Sequence, residues 1–164
     1  MKYDIYVVGD IDFVAFKSFS KKLSGFEDIQ SGCVEVLLMS EGGSADAALA
    51  FFDRIRNSDI PVHITATGIV ASAAVLLLAA GDKRRMTETA WVMVHEESVE
   101  CGDMTASEME KNAEHHRRIE NQWNNLLEIT TGTVAAEWAE LHKYEEFLNP
   151  QDCADLGLID EIVK

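Results

Sequence analysis

Along residues 3–95 the spacing of apolar positions switches repeatedly between two periods. Residues 3–9 (YDIYVVG) form a β-branched and aromatic run ending in glycine, while residues 11–24 (IDFVAFKSFSKKLS) carry apolar positions near a 3.6-residue period before Gly25. Residues 33–39 (CVEVLLM) predict a second strand, followed by a turn at Glu41-Gly42-Gly43. Ser44 is placed to cap a helix reaching about Asn57, whose apolar face is Ala47, Leu49, Phe51, Phe52 and Ile55. A third strand is predicted over 61–66 (PVHITA), and the apolar run 67–81 (TGIVASAAVLLLAAG) then sets Ser72 at the apparent start of a buried helix. A short strand at 84–86 and a clear one at 91–95 (WVMVH) complete the first half. Strands alternating with helices imply βαβ units, a mostly parallel sheet and right-handed crossovers, so the fold class is α/β.

The second half reads differently. Thr105-Ala106-Ser107-Glu108 has the capping-box pattern, and the helix it opens runs to Thr131 before Gly132. At the rise of an α-helix that is about 40 Å. Met109, Ala113, Ile119, Trp123, Leu126 and Leu127 are its apolar positions in an otherwise polar sequence. Two readings stand: a helix packed on its own core, or an arm packed on another subunit. A shorter helix is predicted near 134–142, another starts at Asn149-Pro150 with asparagine as cap and proline at the first position, and a last strand covers 158–163. Without repeats or linkers, residues 1–164 are expected to form one domain.

Charge narrows the partners. A formal net charge of −15 argues against nucleic acid and anionic membrane, because phosphate binding needs clustered Lys and Arg, and the longest basic stretch is Lys83-Arg84-Arg85. The run Ala73–Ala80 falls well short of a bilayer span, and MKYDIYVVGDID lacks the pattern of a secretory leader. A cytoplasmic protein is expected. Cys33, Cys101 and Cys153 are scattered, with no C-x-x-C pair, so neither a disulfide framework nor a metal site is indicated, and no cofactor is expected.

Three features fall at the carboxyl ends of predicted strands, where α/β sheets gather their sites: Gly42-Gly43, Gly68…Ser72 and His95. Each has a plain structural explanation as a turn, a helix cap or a boundary residue. Together they supply acyl transfer. Ser72 would attack a carbonyl, His95 would take and return its proton, and backbone N–H groups of Gly42, Gly43 and Ala73 would hold the oxyanion. Gly68 lies four residues before Ser72 and Ala74 follows it, so this is not the G-x-S-x-G elbow. His95-Glu96-Glu97-Ser98-Val99 lacks the second histidine of H-E-x-x-H, and His115-His116 reads as a solvated pair on a helix surface.

The ordered set Gly42-Gly43-Ser44, GIVASA from Gly68 to Ala73, VMVH ending at His95, Glu145-Glu146-Phe147-Leu148-Asn149-Pro150 and Gly157-Leu158-Ile159-Asp160 resembles the proteolytic subunits of the Clp ATP-dependent proteases. The likeness runs from about Tyr3 to Val163. It implies a serine endopeptidase of the Clp/crotonase-like fold, in seven-membered rings stacked in pairs around the active sites, acting on peptides or unfolded proteins, with an AAA+ unfoldase as partner. Ser72 and His95 match the nucleophile and base. The third position, an Asp in an Asp-x-Phe pattern, falls on Glu145, with Glu146 as the alternative. The long helix, within a region of about 98–131, matches the handle that interlocks the rings. The chain departs from the family in beginning at the first core strand, without the segment that lines the axial pore. It also reads Glu96-Glu97 where Gln-Pro is usual, SVECG at 98–102 in place of a glycine-rich strand, and Ala73 where methionine is usual. Two other readings remain: a catalytically silent ring subunit of the same fold, and a crotonase-type acyl-CoA enzyme, which would leave the Ser72 and His95 pairing unused.

Overall fold

The computed structural model describes residues 2–96 and 102–164. Among them the chain order is β1 (Ile5–Val8), α1 (Phe13–Asp28), β2 (Val34–Ser40), α2 (Ala45–Arg56), β3 (Val62–Ala71), α3 (Ala73–Ala80), β4 (Lys83–Thr87), β5 (Trp91–Val94), α4 (Ala106–Thr131), α5 (Ala135–His142), β6 (Glu146–Leu148), α6 (Pro150–Asp155) and β7 (Glu161–Val163). Strands β1 to β4 lie side by side in sequence order and run parallel, and β7 adds parallel to β4. Neighbours in sequence order joined by right-handed crossovers put their helices on one face of the sheet. Burial alternates accordingly: Ile5 and Val7, then Val34, Val36 and Leu38 point inward and are buried, while Tyr6, Val8 and Met39 point outward and are exposed.

Strand β3 is longer than its periodicity predicts. The expected end at Ala66 gives way to a run through Gly68 to Ala71, because the two halves of β3 serve different partners. His63–Ala66 pairs with β4, whereas Ile69–Ala71 pairs with β5, and β5 in turn pairs antiparallel with β6, a three-residue strand the sequence pattern does not reveal. This fork directs the end of β3 toward the end of β5. Helix α3 follows at once; every one of its residues is buried, as expected of a helix that is apolar all round.

Helix α1 also outruns its prediction, passing Gly25 to end at Asp28. Tertiary contacts override the glycine: Phe26 packs on the core, and Glu27 is held by both Arg54 guanidinium nitrogens at 2.9 and 2.5 Å. Helix α4 has the expected capping box at Thr105 and Glu108 and ends at Gly132, whose φ of 80° suits a left-handed cap. Only its second half packs inward, through Asn124, Leu127, Trp123 and Leu126. Residues 106–118 are exposed apart from the part-covered Asn112 and His116.

Candidate active site

Ser72 occupies a sharp strand-to-helix turn with φ 51° and ψ −124°, a conformation L-residues rarely adopt. Its backbone N–H donates to the Met93 carbonyl at 2.8 Å, so β5 holds the turn in place. Its hydroxyl makes no capping bond to α3, so helix capping does not account for the serine. The residue lines a cleft of about 360 Å³ together with Gly43, Ala73 and His95.

The Gly42-Gly43 pair does two different jobs. Gly42 has φ 109°, and a Cβ there would lie 2.8 Å from Ser72 Cβ and 3.0 Å from the Ala71 carbonyl, so only glycine lets the end of β2 touch the serine turn. Its N–H, however, donates to Ser40 Oγ at 3.0 Å. The Gly42 N–H, expected to donate to an oxyanion, is thus engaged inside its own loop in this structure. The bridge from Ile11 takes the Gly42 carbonyl and the Ser44 N–H, the groups on either side of Gly43, and leaves the Gly43 N–H out of the ladder. Ala73 is the first residue of α3, where the N–H has no partner within the helix. Gly43 and Ala73 both border the cleft beside Ser72.

His95 follows β5 and is half-buried. Its Nδ1 lies 2.6 Å from the Glu96 carbonyl oxygen. A carbonyl only accepts, so Nδ1 carries a proton here, and in the neutral ring that leaves the lone pair on Nε2, the tautomer a general base needs. The antiparallel pairs Val92↔Leu148, Met93↔Phe147 and Val94↔Glu146, extended one step, set Glu145 across from His95 on the same face. Glu146 stands opposite Val94 and faces the other way. Glu145 itself is exposed, and the described hydrogen bonds include none from His95 to Glu145 or to Ser72 Oγ. Glu97 and the segment 98–101 lie outside the described residues.

The far wall of the cleft comes from α4 and α5, and sequence reasoning missed its most informative member. His142 lies in it with Nδ1 2.9 Å from Oδ1 of the buried Asn124. Burial first, and then the nearby His95, push its pKa down to about 4, so it is neutral at pH 7. The available signal was spacing: His142 follows the fully buried Trp138 by one helical turn. Trp123, a candidate for a subunit contact, lines the same wall, with an indole N–H that is buried and unpartnered among the described residues. Among those residues the cleft holds no group of metal donors; the one such group lies at the other end of the sheet.

The family model described as Clp protease matches residues 2–164. The chain is 32% identical over 133 residues to ATP-dependent Clp protease proteolytic subunit 2 of Treponema denticola, covering 80% of this chain and 66% of that protein. It is 31% identical over 132 residues to proteolytic subunit 2 of Streptomyces coelicolor, covering 79% and 61%. The chain therefore spans somewhat less than two thirds of the length of these relatives. A solved structure of a ClpP1 mutant from Listeria monocytogenes superposes with a TM-score of 0.89 at 23% identity, over 98% of this chain and 90% of that one, a likeness of fold.

Proposed function

The chain belongs to the Clp protease family, and from that premise we propose that it is a serine endopeptidase that cleaves peptides or unfolded proteins through an acyl-enzyme. The observation that carries the reading is the strained Ser72 turn, whose hydroxyl is spared from capping and borders the same cleft as His95. Ser72 Oγ attacks the peptide carbonyl while His95 Nε2 takes its proton and returns it to the leaving amine. The Gly43 and Ala73 N–H groups hold the oxyanion, and water then releases the acyl group by the same route in reverse. Glu145 is the third member, reaching across from the position just before β6 to receive Nδ1–H in place of the Glu96 carbonyl; catalytic hydrogen bonds commonly tighten only with substrate present. Glu146 is disfavoured by its register. The domain acts within a ring of identical subunits, a heptamer stacked as a tetradecamer, served by an AAA+ unfoldase in the cytoplasm. No described helix is long and apolar enough to cross a membrane.

The silent-subunit reading has one observation in its favour: Nδ1 of His95 is bound to its own neighbour's carbonyl and Glu145 is exposed. Labelling with a fluorophosphonate serine-hydrolase probe, located by peptide mass spectrometry, separates the two. Stoichiometric adduct on Ser72, lost together with peptide cleavage in Ser72→Ala while the assembly persists, is the expected result. An assembled protein that takes no label across a pH series would establish the silent subunit.

A further inference from the structure

At the amino ends of β2 and β3, opposite the cleft, three different metal donors converge. Cys33 and Glu35 are two residues apart in extended chain and so share a face of the sheet, and Glu35 stands beside His63 in the parallel register. One sulfur, one nitrogen and one oxygen from these residues lie within 4.8 Å of one another. All three side chains are half-buried, which reduces the number of conformations lost on closing around an ion. From this convergence we propose that Cys33, Glu35 and His63 form a binding site for a borderline-soft divalent cation, Zn²⁺ in the first instance, with water as the fourth ligand.

The donor set decides the ion. A thiolate and an imidazole disfavour Mg²⁺ and Ca²⁺, which prefer oxygen, while three protein ligands with one open position suit tetrahedral zinc. Zn²⁺ bonds of about 2.0–2.3 Å place neighbouring ligand atoms roughly 3.3–3.8 Å apart, so the imidazole and carboxylate need only separate slightly and the side chains adjust by small rotations. His63 Nδ1 now lies 2.9 Å from Glu35 Oε1, and the cation takes the place of the proton between them, which passes to the other ring nitrogen. Cys33 loses its thiol proton to solvent as the Zn–S bond forms, one proton per ion.

The surroundings already support the carboxylate. Arg85 Nη1 donates to the other oxygen, Glu35 Oε2, at 2.7 Å, an outer partner that fixes the orientation of the ligand. Burial alone would raise the Glu35 pKa; the hydrogen bonds from His63 and Arg85 outweigh it and hold the carboxyl below its ordinary range, so it is ionised at neutral pH. With the thiol protonated, Glu35 and Arg85 cancel. Binding adds two positive charges and removes one proton, a net gain of one positive charge that the formal net charge of −15 on the whole chain favours.

Cobalt titration of the metal-stripped full chain tests the site, because a thiolate ligand gives a charge-transfer band in the near ultraviolet and tetrahedral Co²⁺ gives strong visible bands. The experiment is run on a Cys101→Ser background, which leaves Cys153 as the other thiol; that residue is buried and its thiol is pushed up to about 12, out of the thiolate range. One Co²⁺ per chain is expected, displaced by Zn²⁺. The charge-transfer band should vanish in Cys33→Ser, and affinity should fall by about tenfold or more in His63→Ala. Circular dichroism and thermal melting without metal check that each variant folds. Absence of the band in the Cys101→Ser protein, or its survival in Cys33→Ser, would overturn the proposal.

Discussion

At the scale of single residues, His142 is where burial and chemistry conflict most openly. It is neutral against Asn124 because burial and His95 disfavour its charged form, with a pKa of about 4 against an ordinary 6.5. Its pKa is depressed on folding, so the folded chain takes up its proton less readily than the unfolded chain. The penalty is absent above about pH 6.5, grows as pH falls, and is fully felt below about pH 4, where it reaches about 3 kcal/mol. His142→Asn keeps an N–H donor near the position of Nδ1 and removes the titration. Melting curves from pH 7 to 4 should show the variant gaining on the wild-type chain as the solution is acidified. Parallel pH profiles for the two proteins would sink this account.

At the scale of elements, the parts legible in the sequence are those whose cause is local. Ser44 and Thr105 cap α2 and α4 as their residue types require, and Asn149-Pro150 opens α6. What could not be read is set by distant partners. The run of β3 past Ala66 depends on Trp91–Met93 arriving alongside, and β6 exists only because Val92–Val94 is there to pair with it. The candidate site divides the same way: Gly42-Gly43, Gly68…Ser72 and His95 stand out as singular features at strand ends. The consumption of the Gly42 N–H by Ser40 and the arrival of His142 from α5 follow from loop geometry and helix packing.

Arg84 shows how such distant elements are tied together. From β4 its Nη1 donates to the Thr130 carbonyl in α4 and to the Gly157 carbonyl after α6, while Nε and Nη2 bind Asp160 ahead of β7. Its side chain is only 13% exposed. Burial alone would raise the Asp160 pKa; the Arg84 hydrogen bonds outweigh it and hold the carboxyl below its usual range. Arg84→Met keeps the apolar stem but leaves two carbonyls without their donor and the Asp160 carboxylate with only the main-chain N–H of residue 84, at 2.7 Å, and should cost about 2–3 kcal/mol at pH 7 in urea unfolding. A depressed carboxylate contributes stability above its unfolded pKa and loses it as pH falls through the folded one. The gap between variant and wild type should therefore narrow below about pH 4. A gap under ~0.5 kcal/mol at neutral pH would show that the network adds little.

For the whole molecule, the decisive feature is that α1, α2 and α3 cover one face of the sheet while parts of the other carry exposed apolar side chains. There Tyr6, Val8, Trp91 and Phe147 are 58%, 55%, 47% and 51% exposed, and Gly68, Ile69, Trp91 and Phe147 outline a shallow apolar hollow. Scattered apolar residues need no explanation, but a contiguous patch of aromatic and branched side chains on a sheet marks a surface that another body covers. The exposed first half of α4 offers a second surface that its own core does not use. Both fit the proposed ring of identical subunits, whose assembly would work against the repulsion of a formal net charge of −15 per chain. Two measurable consequences follow. Added salt should strengthen assembly, since it screens repulsion while leaving apolar burial intact. Trp91→Glu would force a carboxylate into that contact and should weaken association by about 100-fold or more. Sedimentation velocity at several salt concentrations reads both. A wild-type chain that sediments as a monomer throughout would refute the ring, and an assembled Trp91→Glu variant would move the contact off this face.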